Sequence, residues 1–252
     1  MKNTNLGAII LAAGKGKRMN SKSVNKVTLP LADKPMIAHT VNLLEKVGIK
    51  DIVVVVGFAK KSVISVLGNK VIFAEQKKRL GTGHAALCGL KKLPRRVDDV
   101  LIINGDDSAF YPQSLIKNLI KTHFLSNAAI TFLTIDKDNP FSLGRIVRNK
   151  NGQVIAIAEE KDATKAQRKI TEINPGCYLL KVDFLKKYLN KIEKSMITGE
   201  YYLTSIIDLG IKNNEKIETL KGGSIAWRGV NTKDELMEAE KLFPLTKIVQ
   251  KG

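Results

Sequence analysis

The sequence predicts an α/β fold with a single Rossmann-like, mixed and mostly parallel sheet that has helices on both faces. Apolar, β-branched runs alternate with helix-like segments through the first half of the chain. The first apolar run ends in a glycine-rich turn, and turns of this kind lie at the carboxyl edge of open α/β sheets. Alternation at this spacing needs crossover connections, which join parallel strands.

The first half of the chain supplies the alternating elements. Residues 6–13 are continuously apolar and predict a buried parallel strand. Pro35 suits the first position of a helix over 36–46, which Gly48 would end. Further strands are predicted at 51–56, 71–74, 100–104 and 128–134. Further helices are predicted at 60–67, 82–90 and, opened by Pro112, 112–121.

The pattern changes in the second half. Asn151-Gly152 is a strong hairpin signal between strands at 145–149 and 153–158. We then predict a long strand at 171–182, helices at 183–192 and 202–212, a last strand at 224–228 and a closing helix at 232–242. Because no repeat, low-complexity tract or Gly/Ser-rich linker separates these parts, we expect one domain over residues 1–252.

The composition is that of a globular protein. Hydrophobic residues make up 44% and charged residues 26% of the 252 residues. No stretch approaches the roughly 20 apolar residues of a membrane span, and the apolar N-terminal segment is short for a signal peptide. We therefore expect a cytoplasmic protein without a membrane partner.

Cys88 and Cys177 are expected to be reduced packing residues. His39, His84 and His123 lack metal-ligand spacing and are expected to be structural.

The net charge of +18 needs a separate explanation. Such a charge is compatible with nucleic acid, acidic membrane surfaces or small polyanions. The lysines are dispersed through nearly every segment, aromatic residues are 6% of the chain and Trp227 is its single tryptophan. We therefore favour solvated lysine-rich faces and expect no nucleic-acid partner. The field would still attract phosphate-bearing substrates.

The turn after the first strand predicts a phosphate site. Glycines let backbone N–H groups approach phosphate oxygens closely. The turn lacks the third glycine of a dinucleotide fingerprint and the Gly-Lys-Ser/Thr ending of a P-loop. The glycines and nearby cations are Gly14, Lys15, Gly16, Lys17, Arg18 and Lys26.

Carboxylate and amide groups follow other strands of the predicted sheet. Asp106 follows the strand at 100–104 and suits Mg²⁺, although an ordinary Asp/Gly turn is the alternative. Asn231 follows the predicted strand at 224–228 and would either offer its oxygen to the same ion or cap the next helix. Gln76, Gly81 and Thr82 would bind a base edge, with a turn and a helix N-cap at Thr82 as the alternative.

Taken together, these segments resemble the sugar-phosphate nucleotidyltransferases, and most closely the uridylyltransferase domain of bacterial bifunctional N-acetylglucosamine-1-phosphate uridylyltransferases. The resemblance runs from about Gly7 to Leu242. The first motif is shared with cytidylyl- and molybdopterin-type transferases, whereas the segments at 80–85 and 199–204 are more specific. The matching motifs are Leu11-Ala12-Ala13-Gly14 through Arg18-Met19, Lys26, Leu29-Pro30-Leu31, Lys34-Pro35-Met36, Glu75-Gln76, Leu80-Gly81-Thr82-Gly83-His84-Ala85, Gly105-Asp106, Gly144-Arg145-Ile146, Glu159-Glu160-Lys161-Asp162-Ala163, Glu172-Ile173-Asn174, Gly199-Glu200-Tyr201-Tyr202-Leu203-Thr204 and Gly229-Val230-Asn231.

The resemblance implies a nucleotide-diphospho-sugar transferase fold and a Mg²⁺-dependent transfer of UMP from UTP to N-acetylglucosamine 1-phosphate. The products would be pyrophosphate and UDP-N-acetylglucosamine, a cell-wall precursor. A nucleotide-binding half would span about 6–125, a sugar-binding half about 126–231 and a closing helix about 232–243. The implied roles are catalysis by Arg18 and Lys26, nucleotide binding by Leu11, Ala12, Ala13, Gly14, Gln76, Gly81 and Thr82, sugar binding by Asn104, Gly105, Gly144, Glu159 and Asn174, and Mg²⁺ binding by Asp106 and Asn231.

The chain departs from the family pattern near the sugar. Asn104 stands where a tyrosine is usual, and residues 107–110 stand where a shorter Pro-Leu turn is usual. The alternative is therefore a uridylyl- or thymidylyltransferase for another hexose 1-phosphate. A non-catalytic nucleotide-sugar regulator is disfavoured because Arg18, Lys26, Asp106 and Asn231 are all present. We expect neither the β-helix acetyltransferase domain of the bifunctional proteins nor its acetyl-CoA chemistry, and we assume no oligomeric state.

Overall fold

The computed structural model describes residues 5–19, 23–140 and 143–249. The strands are β1 (Leu6–Ala12), β2 (Pro30–Leu31), β3 (Lys34–Pro35), β4 (Asp51–Val56), β5 (Ile72–Glu75), β6 (Asp99–Asn104), β7 (Ile130–Asp136), β8 (Gly144–Arg148), β9 (Val154–Ala158), β10 (Glu172–Asn174), β11 (Tyr178–Lys181) and β12 (Ile217–Lys221). The α-helices are α1 (Met36–Lys46), α2 (Lys60–Leu67), α3 (Thr82–Leu90), α4 (Gln113–Ser126), α5 (Val182–Tyr188), α6 (Ser205–Lys212) and α7 (Lys233–Val249).

The main sheet has the strand order β5-β4-β1-β6-β11-β7-β12. The first four strands are parallel neighbours, and β12 is parallel to β7. Only β11 runs in the opposite direction, because it pairs antiparallel with both β6 and β7. The predicted mixed, mostly parallel sheet is thus confirmed.

An antiparallel extension continues from the end of β7. There β10 pairs with β7, β8 pairs with β10, and β9 pairs with β8. The turn between β8 and β9 contains Gly152 at φ +78°, as the Asn-Gly signal predicted.

Helices cover both faces of the main sheet. Successive residues of β1 point to opposite faces, so each face has its own core. Ala8 and Ile10 belong to the core under α1, α2, α4 and α7. Ile9 belongs to the core under α3, α5 and α6. Cys88 and Cys177 are free thiols, as expected. Among the described helices, none has the length and apolar character that a membrane crossing requires.

Two predicted strands are wrong. The strand predicted at 171–182 is two strands, since Pro175 has no N–H to donate and Gly176 adopts φ +83°. The strand predicted at 224–228 does not form, although Trp227 is buried there. The edge position beside β7 belongs instead to β12, whose half-buried Ile-Glu-Thr-Leu-Lys pattern lacks a continuous apolar run.

Several boundaries also differ from the prediction. Pro35 is the N-cap of α1, not its first residue, and Val47 is its C-cap ahead of Gly48. The helix predicted to end at residue 121 continues to Ser126, where Asn127 in the left-handed conformation ends it. The helix predicted from residue 202 begins at Ser205. The closing helix α7 extends to Val249 and contains Pro244.

Gly89 is required by the close approach of α3 to the sheet, which gives a test of the packing. A Cβ at this position would lie 2.6 Å from Cγ2 of Ile9 and 3.0 Å from Cγ2 of Val55. A Cβ this close to its neighbours places the overpacking cost in the upper part of the usual range, about 2–3 kcal/mol, while the helix propensity of alanine offsets about 1 kcal/mol. We therefore expect Gly89→Ala to lower the free energy of unfolding by about 1–2 kcal/mol in urea titrations followed by circular dichroism.

The matched control is Ser65→Ala, which introduces the same residue at an exposed position of α2. We expect this variant to gain a few tenths of a kcal/mol. A Gly89→Ala protein as stable as the control would contradict the close packing of α3 on β1.

Candidate functional site

One cleft of about 710 Å³ opens at the carboxyl ends of β1, β5 and β6 and continues toward the β8–β10 extension. This is the edge at which ligands bind in open α/β sheets. Most of the residues singled out from the sequence line it: Leu11, Ala12, Ala13, Gly14, Lys26, Gln76, Gly81, Thr82, Asn104, Asp106, Gly144, Glu159, Asn174 and Asn231.

The glycine-rich turn is held in place by Asn25, which the sequence analysis missed. Asn25 is fully buried, and its side-chain nitrogen donates to the carbonyl oxygens of Ala12 (2.9 Å), Gly14 (3.3 Å) and Phe58 (2.9 Å). Its side-chain oxygen accepts from the N–H of Val27 (3.2 Å). Asn25 therefore links the glycine-rich turn to Phe58 and to the start of the Lys26 segment.

Lys26 lies at the centre of the cleft with three oxygen partners. Its ammonium forms an ion pair with the Asp106 carboxylate and donates to Oδ1 of Asn231 (2.8 Å) and to the carbonyl oxygen of Val230 (3.1 Å). The Lys26 and Asp106 side chains are each 14% exposed, so bulk water screens the pair weakly. The predicted catalytic lysine and both predicted metal ligands thus meet at one point.

The start of α7 excludes the side-chain capping role considered for Asn231. Thr232 caps the helix through its hydroxyl, which accepts from the N–H of Glu235 (3.1 Å). The Glu235 carboxylate accepts in return from the N–H groups of Thr232 (3.0 Å) and Asn231 (2.6 Å), which is a capping box. The side chain of Asn231 is therefore free of the capping role and faces Lys26.

The oxygen atoms around the Lys26 ammonium fit a hard cation. A carboxylate, an amide and a backbone carbonyl oxygen converge there on one positive charge. Within the described chain, no cluster of three or more His, Cys, Asp or Glu side chains could hold a metal on its own. Mg²⁺ commonly binds one or two protein carboxylates and completes its shell with water and substrate phosphates. Asp106 and Asn231 match that pattern.

The end of the cleft at which a nucleotide is predicted to bind is built from β5 and the loop before α3. Gln76 follows β5 and is 4% exposed, and its Nε2 donates to the carbonyl oxygen of Gly81 (3.0 Å). Gly81 adopts φ +101°, and a Cβ there would lie 2.5 Å from the carbonyl oxygen of Tyr201. Thr82 does not cap α3, since its hydroxyl accepts from the N–H of Leu203 (2.9 Å) and Gly81 is the N-cap.

The opposite end is polar and partly buried. Gly144 and Glu159 face each other, since a Cβ on Gly144 would lie 3.6 Å from Oε2 of Glu159. Burial raises the pKa of Glu159, although its carboxylate accepts a hydrogen bond from the hydroxyl of Thr204 (2.7 Å). Asn174 donates to the hydroxyl of Tyr178 (2.5 Å) and accepts from the N–H of Gly176 (3.1 Å), so it stabilises the break between β10 and β11.

The residues that depart from the family pattern form a polar pair at this end. Asn104 donates to a carboxylate oxygen of Asp107 (3.2 Å), and both residues line the cleft. Asp107 is 5% exposed, and its other carboxylate oxygen has no hydrogen-bond partner within the described residues. Burial and the adjacent Asp106 carboxylate raise the pKa of Asp107 well above its usual value.

Two predicted site residues do not line the cleft. Arg18 is exposed in a single 3₁₀ turn, Lys17–Met19. Gly105 lies behind the cleft surface, where its N–H donates to the carbonyl oxygen of Leu11 (3.1 Å). The sequence analysis proposed no role for several lining residues, namely Asn25, Arg79, Asp107, Tyr178, Glu200, Tyr202, Thr204 and Trp227. Glu200, Tyr202 and Thr204 belong to a matched motif, which was a usable signal.

Comparisons with known proteins agree on the type of domain. The sequence family described as the MobA-like NTP transferase domain matches residues 8–173. Two bifunctional proteins named GlmU are similar in sequence. The GlmU protein of Thermoanaerobacter pseudethanolicus is 39% identical over 238 residues, and this alignment covers 94% of this chain and 51% of the relative. That of Caldicellulosiruptor saccharolyticus is 40% identical over 241 residues, with the same coverages. The chain thus spans about half the length of the curated relatives it matches.

A solved structure is similar in fold. It is a Bacillus anthracis protein assigned as a glucose-1-phosphate thymidylyltransferase and determined in complex with sucrose. The TM-score is 0.78 at 25% sequence identity, and the match covers 94% of this chain and 95% of the other.

The network around Asn25 gives a test of how the glycine-rich turn is held. Asn25→Ala would remove the side-chain donor to the buried Ala12 carbonyl, which costs about 1–3 kcal/mol, and also the partly buried bonds to Gly14 and Phe58. We expect the free energy of unfolding to fall by about 2 kcal/mol or more, measured in urea with the fluorescence of the buried Trp227.

Ser62→Ala is the control, because it removes a hydroxyl that accepts from the Asn25 backbone N–H at 3.0 Å and donates to the Ala59 carbonyl oxygen at 2.8 Å, while the Asn25 side chain stays in place. We expect it to lose about 1 kcal/mol. An Asn25→Ala variant that loses less than Ser62→Ala would refute the network.

Proposed function

Because this chain belongs to the family of MobA-like NTP transferase domains and is a nucleotidyltransferase, we propose that it transfers UMP from UTP to N-acetylglucosamine 1-phosphate. The products are UDP-N-acetylglucosamine and pyrophosphate. The main support is the arrangement of one cleft, in which Lys26, Asp106 and Asn231 lie between the Ala12–Gln76–Gly81 end and the Gly144–Glu159 end. A transfer between two substrates needs the charged groups to lie between the two binding ends, because the phosphates of both substrates meet there.

The reaction is an in-line displacement at the α-phosphorus of UTP. A phosphate oxygen of the sugar 1-phosphate forms the new P–O bond, and the bond to the bridging oxygen of pyrophosphate breaks with its electron pair. Since the attacking phosphate is already ionised at neutral pH, no general base is required. Positioning and charge neutralisation supply most of the catalysis of such a transfer.

Each part of the cleft has a task in this reaction. The backbone of Ala12, Ala13 and Gly14 binds the triphosphate, while Gln76, Gly81 and Thr82 bind the base. Lys26 exchanges its ion pair with Asp106 for a contact with phosphate oxygens when substrates bind. Gly144, Glu159 and Asn174 hold the sugar, with Asn104 and Gly105 beside them. Arg18 would reach the triphosphate only if its exposed turn approached the cleft.

Asp106 and Asn231 would hold Mg²⁺, which supplies charge neutralisation at the phosphates. Their oxygens already surround a positive charge, that of Lys26. The two cations therefore compete for the same oxygens until phosphate oxygens attract the lysine. We expect Mg²⁺ to bind together with the nucleotide.

A second substrate pair is favoured by one observation. Asn104 and Asp107 give the sugar end a hydrogen-bonded polar pair. Such a pair suits an additional hydroxyl or amino group on the sugar. A uridylyl- or thymidylyltransferase acting on another hexose 1-phosphate is therefore the alternative.

The metal assignment predicts the effect of Asp106→Ala. Losing one preorganised electrostatic group raises the barrier by about 3 kcal/mol, so we expect turnover to fall about a hundredfold or more. The measurement is Mg²⁺-dependent pyrophosphate release, with thermal unfolding to check that the fold is intact. Asp183→Ala, which removes a carboxylate that is 95% exposed, is the control and should leave turnover unchanged. Near-normal turnover in Asp106→Ala would contradict the assignment.

A substrate panel tests the proposed pair. UTP, dTTP, CTP, GTP and ATP are each combined with 1-phosphates of N-acetylglucosamine, glucose, galactose and glucosamine, with Mg²⁺ and with EDTA. We expect the highest kcat/KM for UTP with N-acetylglucosamine 1-phosphate and no turnover in EDTA. Turnover of another pair without this one would refute the proposed substrates in favour of the alternative.

A further inference from the structure

The orientation of the Gln76 side-chain amide is fixed by two neighbours. The amide nitrogen Nε2 lies 3.0 Å from the carbonyl oxygen of Gly81 and 3.0 Å from Nδ1 of His84. A carbonyl oxygen can only accept a hydrogen bond, so the Gln76 atom that faces it must be nitrogen rather than oxygen. The Gly81 contact therefore decides which way the amide points.

The same geometry decides the tautomer of His84. An amide nitrogen has two hydrogens to donate and does not accept. One hydrogen points to Gly81, so the other points to Nδ1 of His84, which must be the unprotonated ring nitrogen. Burial, and then the positive charge of Lys91, lower the pKa of His84, which favours the neutral ring that this contact needs.

With both hydrogens engaged, Gln76 presents its carbonyl oxygen Oε1 as the remaining group. Throughout the part of the chain that the structure describes, Oε1 has no hydrogen-bond partner, and Gln76 lines the cleft while His84 does not. A lone acceptor matches a protonated ring nitrogen, such as the N3–H of uracil or thymine or the N1–H of guanine. The N3 of cytosine and the N1 of adenine are themselves acceptors, so they would be repelled.

We propose that His84 is a positioning residue that sets base selectivity by holding the Gln76 amide with its oxygen toward the base. This inference rests on the proposed role of Gln76 in binding the base of the triphosphate. Without His84, only the Gly81 carbonyl opposes rotation of the amide, and that carbonyl also accepts from the N–H of Ala85 (3.1 Å). A rotated amide presents N–H groups, which suit cytosine.

The test compares the kcat/KM for UTP with that for CTP in His84→Leu and His84→Asn. His84→Leu removes the acceptor, and we expect the UTP-to-CTP ratio to fall about tenfold, through KM, with kcat for UTP within about twofold of wild type. Asparagine places Oδ1 close to the position of Nδ1, so His84→Asn should keep the ratio within about threefold of wild type. A purely structural role would change stability without changing this ratio.

Gln76→Ala separates this proposal from the proposed function. If Gln76→Ala leaves the UTP preference intact, Gln76 does not bind the base and that part of the proposed function fails. If Gln76→Ala abolishes the preference while His84→Leu stays within twofold of wild type, the role of His84 is refuted. Equal losses in His84→Leu and His84→Asn would also refute it, since the acceptor would then not matter.

The His84 tautomer can also be measured in the wild-type protein, without the His84→Leu variant and without an activity assay. In ¹⁵N NMR spectra of the full wild-type chain at neutral pH, the His84 signal, assigned by its loss in His84→Asn, should report an unprotonated Nδ1 and a protonated Nε2. A protonated Nδ1 would overturn the proposal.

Discussion

Parallel pairing of β1 with β4 and β6 is the constraint on which the candidate site depends. The register sets Ala12 beside Val56 and Leu11 beside Asn104, and β4 in turn sets Val56 beside Glu75. Because parallel strands end at the same edge, the glycine-rich turn, Gln76 and Asp106 lie at one edge of the sheet although they are distant in sequence. The side-chain contacts within the cleft then refine this placement.

Charge at the centre of the cleft is balanced within the protein before any substrate binds. Lys26, Asp106 and Asn231 come from three separate parts of the chain. Lys26 and Asn231 are 205 positions apart in the sequence. Partly buried charges that lacked such partners would be costly. The ion pair therefore holds in place the lysine proposed to bind phosphate and the carboxylate proposed to bind Mg²⁺. The same groups then stabilise the folded chain and serve the proposed reaction.

The end of the cleft around Asn104 and Asn174 depends on a different kind of pairing. There β11 is inserted antiparallel between β6 and β7, and the Pro175–Gly176 break turns the chain from β10 into β11. Asn174 fixes this break, and Asn104 and Asp107 pack beside it.

The sequence by itself determined the elements whose signal is local. Continuous apolar runs and helical spacing predicted β4, α2 and α3 with their observed bounds. This was possible because an apolar run and a 3.6-residue period are properties of the segment's own sequence. Most of the residues that were predicted to form the site line the cleft. Tertiary structure alone decided what depends on a distant partner. Ile217–Lys221 rather than 224–228 pairs with β7, Asn25 anchors the glycine-rich turn, and His84 meets Gln76. In each of these cases hydrogen bonds join two segments that are distant in the sequence. The local sequence pattern does not indicate which segment will be the neighbour.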